Sequence, residues 1–154
     1  MNRSGTAIAL KKADYEKLLS PYLQEGRKRE SWRIDQVVID DKRLTAMVSM
    51  RSTYVSGTDR HGFHLTIFST LEFLSQLMII FTHTWAGLAA KTREAWMLES
   101  TTRSRRAIRD PEAIRVEMNV RSIRRRGENI YCVADFQVTD KLGGLFEVEL
   151  KGFV

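Results

Sequence analysis

The chain has 154 residues, the size of one domain that can bury a core without disulfides or metals. Hydrophobic residues make up 43% and charged residues 29% of it, a balance that excludes a disordered chain. The formal net charge of +6 predicts an acidic partner: a nucleic acid, an anionic lipid, a phosphorylated cofactor or an acidic protein. We expect one domain over residues 1–154, with an N-terminal helix and connector in residues 1–30.

The sequence also indicates where the protein works. Its single cysteine, Cys132, excludes a disulfide within the chain and favours a reducing compartment. The N-terminal stretch MNRSGTAIALKKADYEKLL lacks the apolar region of a signal peptide, and the apolar run after Leu71 is interrupted too soon to span a bilayer. These features predict a cytoplasmic protein without a membrane segment.

The first part of the chain predicts a short helix followed by a hairpin. The helix is predicted in ADYEKLLSPYL, with Tyr15, Leu18 and Leu19 on one side and Pro21 at its end. The charged stretch EGRKRESW then leads to WRIDQVVI and RLTAMVSM, two alternating runs separated by the turn-like DDK. The polar RSTYVSGTDRHG, with its two glycines, is predicted to be a loop.

The most apolar stretch comes next. A long buried helix is predicted over Thr70–Ala90, because large apolar side chains recur there at helical spacing. They are Leu71, Leu74, Leu77, Met78, Phe81, Trp85 and Leu88. EAWMLES predicts a strand, followed by the arginine-rich TTRSRRAIRDPE. Three alternating runs, AIRVEMNVRSI, IYCVADFQVTD and LFEVELKGFV, then predict an antiparallel meander.

An antiparallel sheet needs cover for its apolar face, and the long helix is the only predicted element large enough to provide it. We therefore predict an α+β fold in which an antiparallel sheet wraps around one long central helix. This arrangement is the hotdog fold.

From LLSPYL to its end, the sequence resembles hotdog-fold acyl-thioester enzymes, and most closely the FcoT-like thioesterases, which act on fatty acyl thioesters. The matching motifs, in the family's order, are Pro21-Tyr22, Tyr54 in the loop, HLT, LSQL and MLESTTRSRRAIRDP. The resemblance implies functional roles for Tyr22 and Tyr54. It also places Thr66 and Ser75 where that family has two functional asparagines.

Glu72 and Gln76, four residues apart on the predicted helix, are similar to a Glu and a Gln of the hydroxyacyl carrier-protein dehydratases. A carboxyl group on an apolar helix holds its proton more readily than one in water, which suits a general acid or a group that activates water. Gln76 is predicted to contact the substrate. The alternative for Glu72 is structural, because Ser69-Thr70-Leu71-Glu72 fits a capping box, in which the glutamate bonds the backbone at the helix start.

His64 lies in the loop before the helix and matches the family's histidine, so it is a candidate base. The alternative is that it is simply an exposed loop residue. The first turn of the helix offers free backbone N–H groups, which can hold a thioester carbonyl and the oxyanion formed on attack.

The arginines of TTRSRRAIRD are predicted to bind the phosphates of CoA or the acidic face of an acyl carrier protein, because guanidinium groups bind phosphates bidentately. They are Arg103, Arg105, Arg106 and Arg109, of which the first three are the predicted substrate contacts. The second basic run, RSIRRRGE, is interpreted as a solvated turn. The sequence has no zinc-type Cys/His cluster, G-x-S-x-G, P-loop or dinucleotide fingerprint, so it implies no metal or nucleotide cofactor.

Three functions stay open. The first is hydrolysis of fatty acyl thioesters, with water activated by Glu72 or His64. The second is dehydration of 3-hydroxyacyl thioesters, with His64 removing the α-proton and Glu72 protonating the departing hydroxyl. The third is a non-catalytic basic module for nucleic acid, which is disfavoured because no aromatic residues interleave with the arginines. The apolar EAWMLES edge further predicts a homodimer or a dimer of dimers.

Overall fold

Short helical segments, one long helix and six strands make up residues 7–154, the part of the chain that the computed structural model describes. The helices are α1 (Lys12–Glu16), α2 (Arg27–Arg29), which continues from a π-helical turn at Tyr22–Gly26, and α3 (Ile67–Trp85). The strands are β1 (Ser31–Asp40), β2 (Arg43–Ser52), β3 (Trp96–Arg106), β4 (Ile114–Arg126), β5 (Asn129–Thr139) and β6 (Leu145–Phe153). Residues 1–6, which open the predicted domain and the stretch judged to lack a signal peptide, lie outside the described residues.

All six strands belong to one antiparallel sheet in the order β1-β2-β4-β5-β6-β3. The predicted β1–β2 hairpin and the β4–β5–β6 meander are both confirmed. Strand β3 pairs with β6, which is not its neighbour in sequence, so β1 and β3 form the two edges. With α3 packed on one face of this sheet, the predicted hotdog fold is confirmed.

The core lies between α3 and the sheet. One face of α3 is fully buried there through Phe73, Leu74, Leu77 and Phe81. The facing strands contribute every second residue, which is the period of a strand with one face covered. On β5 these buried residues are Ile130, Cys132, Ala134, Phe136 and Val138.

The opposite face of the sheet is charged and exposed to solvent. Ion pairs cross it between neighbouring strands, including Arg105–Glu147 at 2.9 Å and Lys151–Glu99 at 3.0 Å. Such exposed pairs contribute little to stability, but they keep this face solvated and leave the helix face as the apolar one. No helix within residues 7–154 is long and apolar enough to cross a membrane.

Helix α3 starts three residues earlier and ends five residues earlier than the predicted Thr70–Ala90. Its end is set by Gly87, whose φ of 70° is favourable only for glycine. The Leu88 N–H donates to the His83 carbonyl at 2.9 Å, which closes a Schellman turn. Leu88 therefore lies beyond the helix, although its spacing fits the apolar series.

The N-terminal segment differs more from the prediction. Helix α1 covers only five residues, and Leu18 and Leu19, predicted to share an apolar side, are 77% and 46% exposed. Pro21 does not end a helix but precedes the π-helical turn, where its φ of −57° suits a helix start. The stretch predicted as a charged connector is helical up to Arg29.

Strand β3 is longer than predicted, because it continues through the arginine-rich stretch to Arg106. Nearly all of its residues are exposed. This edge strand thus presents both its apolar start and its basic end to solvent.

Candidate active site at the start of the central helix

The start of α3 is fixed by contacts from the segment that follows β3. The Leu65 N–H donates to the Ile108 carbonyl at 2.8 Å, and the Leu65 side chain is buried. The Arg109 guanidinium donates to the carbonyls of His61 and Phe63 at 3.2 and 3.3 Å. These bonds hold the loop before α3 and therefore the position of its first turn.

Thr66 is the N-cap residue of α3, yet its side chain makes no capping bond within the described chain. Its hydroxyl lies 2.7 Å from the Tyr22 hydroxyl instead. The first turn of a helix has N–H groups without intrahelical acceptors. Because the Thr66 hydroxyl bonds Tyr22 instead, these groups receive no capping bond from the Thr66 side chain.

Glu30 joins the same cluster from the end of α2. One oxygen, Oε2, accepts hydrogen bonds from the Tyr22 hydroxyl at 2.8 Å and from the Ser69 hydroxyl at 2.9 Å. No pattern in the sequence singles out Glu30, which stands in a charged stretch, so the prediction missed it. The side chains of Tyr22, Thr66 and Glu30 thus meet at the start of α3, where Ser69 also bonds Glu30.

The Tyr22 phenol is held in its protonated form by this environment. Burial raises the pKa of Tyr22 to about 12; the Thr66 hydrogen bond opposes this rise and the Glu30 carboxylate adds to it. Tyr22 is therefore a hydrogen-bond donor at neutral pH, not a base.

Tyr54 packs beside Tyr22, as the two predicted tyrosines would in one site. Their ring centroids lie 6.3 Å apart. A Cβ on Gly26 would lie 2.2 Å from Cδ1 of Tyr54, so only glycine lets this ring lie against the π-helical turn. The Arg29 guanidinium lies 5.7 Å from the centre of the Tyr54 ring, within the range of a cation–π contact.

The capping-box interpretation of Glu72 is wrong. Since α3 begins at Ile67, Ser69 lies inside its first turn, and its hydroxyl bonds Glu30 and not the helix backbone. The Glu72 carboxylate instead forms an ion pair with Arg27 and accepts a hydrogen bond from the Trp32 indole at 2.9 Å. The expected apolar surroundings are absent, because the Glu72 side chain is 45% exposed.

Glu72 lines a groove that leads from the start of α3 along the helix. Gln76, Ser75 and Met97 also line this groove. Ser75 and Met97 in turn line a cavity of about 250 Å³ farther along α3. The floor of that cavity is made of small sheet residues, Cys132 and Gly152, and its other walls are mostly apolar: Met78, Ile79, Trp96, Leu150 and Phe153.

Other predicted residues lie outside this cluster. His64 is exposed in the loop two residues before Thr66. Arg103 and Arg105 lie on the charged face of the sheet, where Arg103 is paired in register with Glu147 and Arg105 forms an ion pair with it. Arg106 ends β3. Within one chain the structure does not bring these arginines to the start of α3.

A metal site finds no support in the residues that the structure describes. No group of three or more His, Cys, Asp or Glu side chains within residues 7–154 is arranged to hold an ion.

Comparison with known proteins supports the fold. No family model matches the sequence, and no curated protein is similar to it in sequence. A hypothetical thioesterase protein with coenzyme A from Streptococcus pneumoniae TIGR4 is similar in structure, with a TM-score of 0.51 and 12% identity over 80% of this chain and 85% of that one.

Two further solved structures are similar. A Streptococcus mutans UA159 protein bound to acetyl-CoA has a TM-score of 0.54 and 12% identity over 79% of this chain and 88% of its own. The dehydratase heterocomplex ApeI:P from Xenorhabdus doucetiae has a TM-score of 0.53 and 14% identity, over 78% and 80%. At these identities the likeness shows the hotdog fold alone.

The raised pKa of Tyr22 predicts a pH dependence of stability. Below pH 10 the phenol is protonated in both the folded and the unfolded chain. As the pH rises from about 10 towards about 12, the unfolded chain loses this proton before the folded one does, so the stability that the group contributes is lost. Urea unfolding at pH 9 and pH 11 should therefore show a larger loss for the wild type than for Tyr22→Phe. Equal losses would contradict the described environment of Tyr22.

Proposed function

We propose that the protein hydrolyses fatty acyl thioesters carried by CoA or by acyl carrier protein. The observation that supports this best is the start of α3, where the N-cap hydroxyl bonds Tyr22 and the first-turn N–H groups are left without side-chain caps. Such N–H groups stabilise the oxyanion formed when a thioester carbonyl is attacked. The buried, unpaired Cys132 agrees with work in a reducing compartment, which we propose is the cytoplasm.

The reaction follows from this placement. Water attacks the carbonyl carbon, the carbonyl electrons move to an oxygen held by the first turn of α3, and collapse of this intermediate breaks the C–S bond. The products are a carboxylic acid and a thiol. Tyr22 and Tyr54 are proposed to form one wall of the site, with Thr66 beneath the thioester. Glu72 is proposed to flank the thioester from the groove and His64 from the loop.

The carrier is proposed to enter at the basic mouth of the groove. Arg27 lines this groove, and Lys28 and Arg29 follow it on the same short helix. Guanidinium groups suit the phosphates of CoA or of a phosphopantetheine arm. Arg103, Arg105 and Arg106 stay proposed contacts for the carrier, which would have to reach them around the β3 edge.

Purified protein incubated with a panel of acyl and 3-hydroxyacyl thioesters should release the free acid, as measured by mass spectrometry. Glu72→Gln and His64→Ala should each lower the rate by about tenfold or more, because each side chain is proposed to flank and orient the thioester. The matched control is Glu117→Gln, which removes an exposed carboxylate paired with Arg115 at 2.8 Å on the charged face.

Dehydration is the second candidate, because Glu72 and Gln76 line one groove and a similar structure belongs to a dehydratase complex. In the same assay an enoyl product would establish it and overturn hydrolysis. Absence of any turnover would contradict both enzymatic proposals.

The cavity beyond Ser75 is proposed to hold the end of the acyl chain. Since a cavity of about 150 Å³ takes the six carbons of benzene, one of about 250 Å³ has room for about ten. Each buried methylene contributes about 0.8 kcal/mol, or about fourfold in binding. The specificity constant should therefore rise with chain length and level off near this size.

Cys132→Leu, which fills the floor of the cavity, should move this plateau to shorter chains. Ile79→Phe narrows the same cavity from the helix and serves as a second variant. Gln137→Leu adds the same side chain to the opposite face of β5 and should leave the profile unchanged. A chain-length profile that neither Cys132→Leu nor Ile79→Phe alters would contradict this placement of the acyl chain.

The edge strand β3 is proposed to pair with β3 of a second copy. Trp96, Met97 and Leu98 lie consecutively on this edge and are 54%, 42% and 57% exposed, a surface that an unpaired edge strand seldom leaves open. Met97 also lines the groove beside Glu72, so the partner would border the site.

Sedimentation velocity should show a dimer or a dimer of dimers for the wild type and a monomer for Leu98→Lys, because a charge on this edge opposes pairing. A wild type that sediments as a monomer at micromolar concentration would contradict the proposed dimer.

A further inference from the structure

The carboxylate of Glu30 is the least explained group at the start of α3. Its Oε2 accepts hydrogen bonds from Tyr22 and Ser69, while its Oε1 is buried and has no hydrogen-bond partner within the described chain. A buried carboxylate oxygen without a hydrogen-bond partner costs stability. The position of Glu30 therefore calls for a chemical reason.

The hydrogen bonds around Glu30 have one possible direction. The Tyr22 hydroxyl donates its single hydrogen to Oε2 of Glu30. The Tyr22 oxygen must then accept the hydrogen of the Thr66 hydroxyl, which lies 2.7 Å away. Thr66 donates to Tyr22 and Tyr22 donates to Glu30, so the chain of hydroxyls is polarised towards the carboxylate.

This direction leaves the lone pairs of the Thr66 oxygen free to accept. Thr66 is also the N-cap residue, so its hydroxyl lies next to the N–H groups proposed to hold the thioester carbonyl. A water molecule that donates a hydrogen bond to the Thr66 hydroxyl would lie beside the carbonyl carbon. The proton that it donates would then point towards Thr66, the first hydroxyl of the chain that leads through Tyr22 to Glu30.

We propose that Glu30 is the final acceptor of the proton of the attacking water, and this proposal rests on the proposed hydrolysis. The proton reaches Glu30 through Thr66 and Tyr22. As the water oxygen bonds the carbonyl carbon, its proton passes to Thr66, the Thr66 proton to Tyr22, and the Tyr22 proton to Glu30. When the C–S bond breaks, the same proton returns along the chain to the departing thiolate. Glu30 is thus a positioning residue that acts through Tyr22 and Thr66.

The other groups fit this assignment. Both oxygens of Glu72 are engaged, one by Arg27 and the other by the Trp32 indole, whereas Glu30 keeps an unpartnered oxygen. The raised pKa of Tyr22 keeps the phenol protonated between turnovers, which a group that passes a proton on requires.

The test compares kcat and KM for Glu30→Gln, Tyr22→Phe and Thr66→Val with a decanoyl-CoA substrate. Loss of proton transfer should lower kcat by about a hundredfold or more and leave KM unchanged, since each variant keeps the shape of its side chain. Glu25→Gln, which removes an exposed carboxylate of the same helical segment, should keep the wild-type kcat. Because the three residues act as one unit, the double variant Glu30→Gln/Thr66→Val should lose no more than either single variant.

Two outcomes would overturn the role of Glu30 and leave hydrolysis standing: a Glu30→Gln variant with near wild-type kcat, or losses in the double variant that multiply. A loss that appears mainly in KM, with a lowered melting temperature, would assign Glu30 a structural role and also overturn it. A wild type that releases no acid from any thioester would instead overturn the proposed function, and the role of Glu30 with it.

Discussion

The burial of one apolar face of α3 against the sheet is the constraint on which the rest of the molecule depends. The sheet buries four large apolar side chains of this face, Phe73, Leu74, Leu77 and Phe81. Because exposing them to water would cost free energy, the sheet fixes the direction of the helix axis and the rotation of the helix about it. Once they are fixed, the first turn of α3 must lie at the rim of the sheet, under the segment before β1. The polar cluster at that position is therefore held in place by the core behind it.

The side chains at the start of α3 make an unusual set of hydrogen bonds. An N-cap threonine usually accepts a hydrogen bond from a backbone N–H of its own first turn, which contributes about 1 kcal/mol of stability. Here Thr66 bonds Tyr22 instead, and Ser69 bonds Glu30. The segment before β1 thus bonds hydroxyls that could otherwise cap the helix, and the first-turn N–H groups lack a capping bond from Thr66.

Much of the fold could be predicted from the sequence, because it depends on periodic burial. The alternation of β4, β5 and β6 and the helical spacing around Leu77 each identify an element directly. The candidate site was harder to predict from the sequence than the fold. The family resemblance points to Tyr22, Tyr54 and Thr66, which the structure places near one another. Glu30 reaches them through a short helix and a π-helical turn that no periodic pattern marks. The capping-box interpretation of Ser69 and Glu72 is wrong because α3 starts at Ile67, before the series of apolar residues that marks the helix in the sequence.

The most direct test of the proposed site is a crystal structure with an acyl-CoA analogue in which a methylene group replaces the thioester sulfur. This analogue keeps the carbonyl group and cannot be hydrolysed. We expect the carbonyl oxygen to accept hydrogen bonds from the first-turn N–H groups of α3 beside Thr66, and the acyl chain to run past Ser75 towards Cys132. An analogue bound on the charged face of the sheet near Arg103, with the start of α3 empty, would contradict the proposed site.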